Sequence, residues 1–303
     1  MKKEHLFQTG CFFLFFIILF TPVASGLYAQ EHPEAFTKVA ENGYYPFWSP
    51  DGKYIVYGGI GSSINVFKVR VSDLKVEQMT EQRGFHPAVS PDGKYITYDS
   101  LGARGTLLEI SFEDGIPRPL SKDRVAGNFS YWSPDGKAIT YTNEGNLWKL
   151  DVASGKISPL YVSTNNDSRP AWSPDGLKIA FDSGDANWEG NVDVYIMDAD
   201  GKNIKQLTNH PKIDSQPNWS PDGQWITYMS EASGNRDIWI MRIDGTKKTQ
   251  VTFDPGMDVW ARWSPDGKKL AFGSERQVEN GATSHIWIID LEKHLGENFL
   301  FQK

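Results

Sequence analysis

Apolar residues in this chain are grouped in short runs separated by polar turns. Examples are Tyr54-Ile55-Val56-Tyr57, Trp225-Ile226-Thr227-Tyr228 and Ile286-Trp287-Ile288-Ile289. Runs of this length, rich in β-branched and aromatic residues and bounded by Gly, Pro, Asn and Asp, read as β-strands rather than helices. Several are apolar at both odd and even positions, which suits sheets covered on both faces rather than sheets with one wet side.

The runs are spaced by a repeated turn. Ser-Pro-Asp-Gly occurs six times, with its serine at Ser49, Ser90, Ser133, Ser173, Ser220 and Ser264, separated by 41, 43, 40, 47 and 44 residues. Proline presets the second turn position, aspartate tolerates the third, and glycine accepts the left-handed conformation that closes the hairpin. An aromatic precedes the turn in five copies, Trp48, Trp132, Trp172, Trp219 and Trp263, with Val89 in the second copy as the exception. Each repeat then carries a strand, a loop of variable length, a second run such as Ile238-Trp239-Ile240-Met241, a polar turn such as Asp244-Gly245, and a last short strand. Four strands per repeat, repeated six times with a period above 40 residues, predict an all-β fold: a six-bladed β-propeller of four-stranded antiparallel blades. An open solenoid is the alternative, and it would require polar end caps that the sequence does not display.

A propeller must close. The last repeat supplies three strands, ending near Asp290, and Leu291 to Lys303 matches a fourth strand poorly. The segment Ala35-Phe36-Thr37-Lys38-Val39-Ala40 resembles the fourth strands elsewhere. It is therefore predicted to pair with the last repeat, so that the N-terminal strand closes the ring.

The pattern Pro-x-Trp-Ser-Pro-Asp-Gly-Lys-x-Ile-x-Tyr, followed by Ile-Trp-x-Met, Asp-Gly and Leu-Thr, resembles the WD-like propeller repeat of the TolB family over about residues 34 to 290. The motif specifies fold more than function, since similar repeats occur in the propellers of prolyl oligopeptidase relatives and in oligogalacturonate lyases. The resemblance implies a periplasmic protein that binds a protein partner in an envelope-spanning complex. The chain departs from TolB in having no counterpart of the α/β domain that precedes the propeller there.

Composition narrows the setting. The 303 residues carry a formal charge of −7 with no basic block, so the electrostatic footprint of a nucleic-acid binder is missing. Lys2 and Lys3, an apolar run from Cys11 to Phe20 and small residues up to Ala29 read as an export signal over residues 1–29, leaving 30–303 as the propeller. A retained anchor is the alternative, but the run falls short of the ~20 apolar residues a spanning helix needs. The expected location is periplasmic or secreted, without membrane insertion after cleavage. Cys11 is the only cysteine, so the mature chain would hold neither thiol nor disulfide.

Candidate chemistry is sparse. No Gly-x-Ser-x-Gly elbow is present, and the mature histidines, His32, His86, His210, His285 and His294, lack metal-ligand spacing. Asp51, Asp92, Asp135, Asp175, Asp222 and Asp266 read as turn formers, and Asp198-Ala199-Asp200-Gly201 as a hairpin turn rather than a calcium loop. No cofactor, metal or catalytic residue is expected.

A ligand site is expected on the face opposite the repeated turns. Four residues before each serine stand Tyr45, His86, Phe129, Arg169, Gln216 and Trp260, which should ring the channel mouth. They either bind a peptide or sugar or simply fill the channel. Two positions earlier, Gly43, Gly84 and Gly127 give way to Asp167, Asp214 and Asp258. The three aspartates form an acidic rim attracting a basic peptide or cation, or else cap their own loops. The long loops Asp182 to Asn191 and Ser274 to Ser284 lie in the same half, with Trp188 a contact candidate. The leading expectation is a non-catalytic binder of an envelope protein or peptide, in which Arg169→Ala and Trp260→Ala would weaken capture at nearly unchanged melting temperature. The alternative is a saccharide-active enzyme resembling oligogalacturonate lyase, acting at the channel mouth.

Overall fold

Six four-stranded antiparallel sheets make up the structure, a computed structural model that describes residues 32–296 apart from 62–63, 101–104, 119, 122–124, 186–189 and 277–283. The first blade runs outward from its inner strand Gly43–Trp48 through Tyr54–Gly59 and Val66–Arg70 to Val76–Gln78. The next four blades repeat this order. The sixth takes three strands, Asp258–Trp263, Lys269–Ser274 and His285–Asp290, from the end of the chain and its outermost strand, Phe36–Ala40, from the beginning. Phe36 pairs with Ile289 and Thr37 with Ile288, so the ring closes as the sequence predicts. The residues after the last strand form a short helix, Leu291–Leu295, capped by Asp290, whose carboxylate accepts from the Lys293 amide. The predicted leader lies outside the described residues. No described helix is long and apolar enough to cross a membrane.

The core is divided among the joints between blades. Trp48, Ile55 and Val69 of the first blade pack on Ala271, Ile286 and Ile288 of the sixth. Trp219 and Ile226 of the fifth pack on Ala180, Val194 and Ile196 of the fourth. The tryptophan before five of the six turns thus covers the face of the preceding blade, and truncating one to alanine removes roughly 3–5 kcal/mol of packing. Two also bond across the joint: Trp48 Nε1 donates to the Arg262 carbonyl at 3.1 Å and Trp219 Nε1 to that of Ala171 at 3.0 Å.

The six turns are alike down to individual atoms. In every copy the serine hydroxyl donates to the aspartate at 2.5–2.7 Å. The same carboxylate oxygen accepts the backbone N–H two residues on, at 3.0–3.1 Å. The hydroxyl oxygen accepts the amide that begins the next strand, at 2.9–3.0 Å. These contacts satisfy the turn locally, which is why the four-residue motif recurs unchanged while the loops vary.

Candidate functional site at the channel mouth

Each inner strand contains one residue more than the strand beside it between two paired positions. Ser168 pairs with Asp182 and Ala171 with Ala180; Phe85 pairs with Asp99 and Ala88 with Thr97; the other four blades shift in the same way. Such a bulge bends the strand and turns one side chain away from the sheet. The bulged residues are Tyr45, His86, Phe129, Arg169, Gln216 and Trp260, all in the left-handed region with φ between 48° and 62°. Left-handed backbone costs a non-glycine residue roughly 1–2 kcal/mol, so six together are a substantial local strain held by the rest of the fold.

The bulge also frees a backbone N–H from its ladder, and in three blades the preceding blade supplies the acceptor. Arg169 N donates to Thr142 Oγ1 at 3.1 Å, Gln216 N to Asp182 Oδ2 at 2.9 Å, and Trp260 N to Gln216 Oε1 at 2.8 Å. The strained conformation is thereby tied to the joints between blades.

The six side chains meet on the axis. The Tyr45 ring lies 4.2 Å from His86 and 4.5 Å from Trp260, centre to centre, and His86 lies 3.9 Å from Phe129. Phe129 stacks on Trp260 at 5.6 Å, and the Arg169 guanidinium covers both rings at 4.8 and 5.2 Å. Beneath this layer remains a void of only about 20 Å³, room for about one water. The mouth residues therefore form a lid across the channel, and five of the six keep part of their surface in solvent. Burial pushes the Tyr45 hydroxyl up to about 12.

Two carboxylates that the sequence reading missed hold the lid. Asp99 accepts from His86 Nδ1 at 2.7 Å, and Asp182 takes both of its oxygens to Arg169 Nη1 at 3.0 and 3.1 Å. Their only sequence signal is a shared place, two residues after the strand-centre Thr97 and Ala180. Asp182 and Ser274, predicted to start loops, are instead strand residues, paired with Val194 and His285. The Arg169–Asp182 pair also corrects the expectation that Arg169→Ala would be thermally silent. Trp188 lies outside the described residues.

The aspartates expected as an acidic rim are buried: Asp167 and Asp258 are 0% exposed and Asp214 3%. Asp167 accepts from the loop hydroxyl of Ser163 at 2.6 Å, and Asp258 accepts from Arg276 Nη2 at 2.8 Å. Burial pushes the Asp258 carboxyl up to about 7 against the pull of Arg276, and pushes that of Asp214 upward too. They act inside the blades and present no charged rim to solvent. In the first half glycine stands at these positions under a tyrosine ring: an added Cβ would stand 2.6 Å from Tyr57 at Gly43 and 2.5 Å from Tyr98 at Gly84.

Among the described residues no three His, Cys, Asp or Glu side chains gather as a metal site would require. Asp198 to Gly201 is a turn, with Gly201 at φ 85° and its N–H on the Asp198 carbonyl at 2.9 Å.

A closed six-bladed ring with strain-held side chains across its channel defines a β-propeller protein. The family described as TolB beta propeller domain matches residues 128–297, over half of the chain, and the chain belongs to that family. An uncharacterized protein of Agrobacterium fabrum is 29% identical over 175 residues, covering 54% of this chain and 57% of that protein. The Tol-Pal system protein TolB of Anaeromyxobacter dehalogenans is 34% identical over 117 residues, covering 36% of this chain and 26% of that protein. The chain thus spans under two thirds of the length of these relatives. Among solved structures, TolB from Acinetobacter baumannii superposes with a TM-score of 0.64 at 23% identity, over 73% of this chain and 56% of that one. An oligogalacturonate lyase in complex with manganese does so with a TM-score of 0.57 at 15% identity, over 84% and 92%. Both structural likenesses concern the fold.

Proposed function

We propose that this chain is an exported, non-catalytic propeller that binds a protein or peptide partner in the cell envelope through the mouth formed by Tyr45, His86, Phe129, Arg169, Gln216 and Trp260. The observation that carries the reading is the set of six left-handed bulges, each aiming a large or polar side chain at the same axis. Strain repeated at one locus and held by neighbouring blades marks a surface kept in a defined shape. The surface is a shallow aromatic platform around one guanidinium, closed beneath. A platform offers contact area to a peptide or protein, in which Tyr, Trp and Arg contribute most, whereas a sugar ring to be cleaved needs a concavity that encloses it. The name of the Tol-Pal relatives supports a protein partner in the envelope.

The reading is tested by placing a photo-cross-linking phenylalanine at position 45, 129 or 260, and at Leu177 on the opposite face as control. Irradiation of intact cells is expected to yield a discrete adduct from the mouth positions and none from 177. Adducts absent from the mouth, or equal at both faces, would overturn it.

A further inference from the structure

The channel has a second end, among the repeated turns. Two residues beyond each bulge the inner strands again face the axis, with Phe47, Tyr131, Asn218 and Arg262 as the larger side chains and Ala88 and Ala171 completing the layer. Past this layer the turns surround a cavity of about 320 Å³ walled by the tryptophans and prolines that flank each serine. That size is at the lower end of small-molecule sites.

Arg262 is the charged group of this cavity. Its guanidinium lies 5.7 Å from the Phe47 ring and 5.6 Å from that of Tyr131, and no described carboxylate bridges to it. The turn aspartates are held by their own serines and amides and do not line the cavity. Burial lowers the guanidinium from its usual range, as expected for a cation in an apolar shaft, since such charges are normally paired. Beside it the Tyr131 hydroxyl accepts from Asn218 Nδ2 at 3.1 Å, so its own hydrogen points elsewhere, and Asn218 is fixed in turn by accepting from Trp263 N at 3.4 Å. A guanidinium and a hydroxyl donor stand together at the floor of an indole-lined cup.

We propose that this cavity binds a carboxylate carried on an apolar body, with the carboxylate on Arg262 and Tyr131 and the body against the tryptophans. One guanidinium matches one negative charge, and the serine hydroxyls and the Asn218 amide that also line the walls already donate to the turn aspartates and to Tyr131, which disfavours a phosphate, since it must have more of its oxygens satisfied. The apolar acid is either free or the C-terminal residue of a peptide. The site is distinct from the mouth, from which the Tyr131–Arg262 layer separates it.

The test titrates the full chain with N-acetylphenylalanine and, in parallel, with its uncharged amide, following tryptophan fluorescence. The acid is expected to give a saturable change with at least about tenfold tighter binding than the amide, the usual worth of a hydrogen bond to a charged group. Arg262→Met, of similar reach but apolar, removes that preference while the melting temperature holds or rises. Tyr131→Phe reduces the preference partly and serves should Arg262→Met not fold. A tetrapeptide ending in phenylalanine separates the sources: binding at least as tight as the acid assigns a peptide C-terminus, and its exclusion assigns free acids. Equal binding of acid and amide, no saturable change, or a preference unaltered in Arg262→Met would overturn the site.

Discussion

Arg169 and Asp182 face each other across adjacent strands of the fourth blade, one at the channel lid and the other fully buried, joined by two hydrogen bonds of 3.0 and 3.1 Å. Asp182 also accepts the Gln216 amide. The pair thus links the fourth blade to the fifth while it holds the lid.

Removing one partner leaves a buried charge without its counter-ion. Arg169→Ala is expected to cost about 3–5 kcal/mol, and Arg169→Ala/Asp182→Ala to be less unstable than the sum of the single changes. Urea denaturation of the four proteins gives the coupling directly. Strict additivity would show that the two residues do not act as a pair.

Gly43 and Gly84 lie under tyrosine rings, and alanine at either forces Tyr57 or Tyr98 out of place. A loss of about 1–3 kcal/mol is expected from each substitution, the usual effect of overpacking. An unchanged urea midpoint in Gly84→Ala would mean that the Tyr98 ring is not confined there.

Phe36 binds the two ends of the chain in more than one way: it pairs with Ile289, and Arg276, which donates to Asp258, lies 4.1 Å over its ring. Deleting residues 30–41 is expected to abolish the single cooperative melting transition, because the sixth blade loses its outermost strand and one face of its core. A truncated protein that melts like the full chain would refute closure by this strand.

The turn aspartates set an acid limit. Serine hydroxyls hold the carboxyls of Asp51, Asp135 and Asp175 below their usual value. A depressed folded pKa contributes stability that is complete above the unfolded value near ~3.9 and is lost as pH falls through the lower folded value. The chain should therefore lose stability as pH falls below about 4. Replacing all three by asparagine, which still accepts hydrogen bonds but does not titrate, should flatten that part of the profile in chemical denaturation. Parallel profiles for wild type and variant would exclude the mechanism.

The blade count, the strands and the closing segment were legible because they rest on local signals: a turn of fixed chemistry, apolar runs of strand length, and a spare strand ahead of the first repeat to match the one the last repeat lacks. The mouth residues were legible as positions by their constant offset from the serine. Their backbone was not, because of Tyr, His, Phe, Arg, Gln and Trp only His is enriched at left-handed φ. The bulge that imposes it arises from register, a property of two strands together. For the same reason Arg169 gave no sign of its pairing with Asp182, thirteen residues away. The aspartates 167, 214 and 258 read equally as rim or as interior, and only their burial separates the two.

The closing strand also fixes an order of events. Phe36–Ala40 is synthesised well before its partner His285–Asp290, by an interval on the order of tens of seconds at ordinary synthesis rates. Throughout that time the nascent polypeptide carries an unmatched strand and a growing arc with an uncovered edge. Ring formation therefore waits for the partner strand, and that interval is the period of greatest exposure to aggregation.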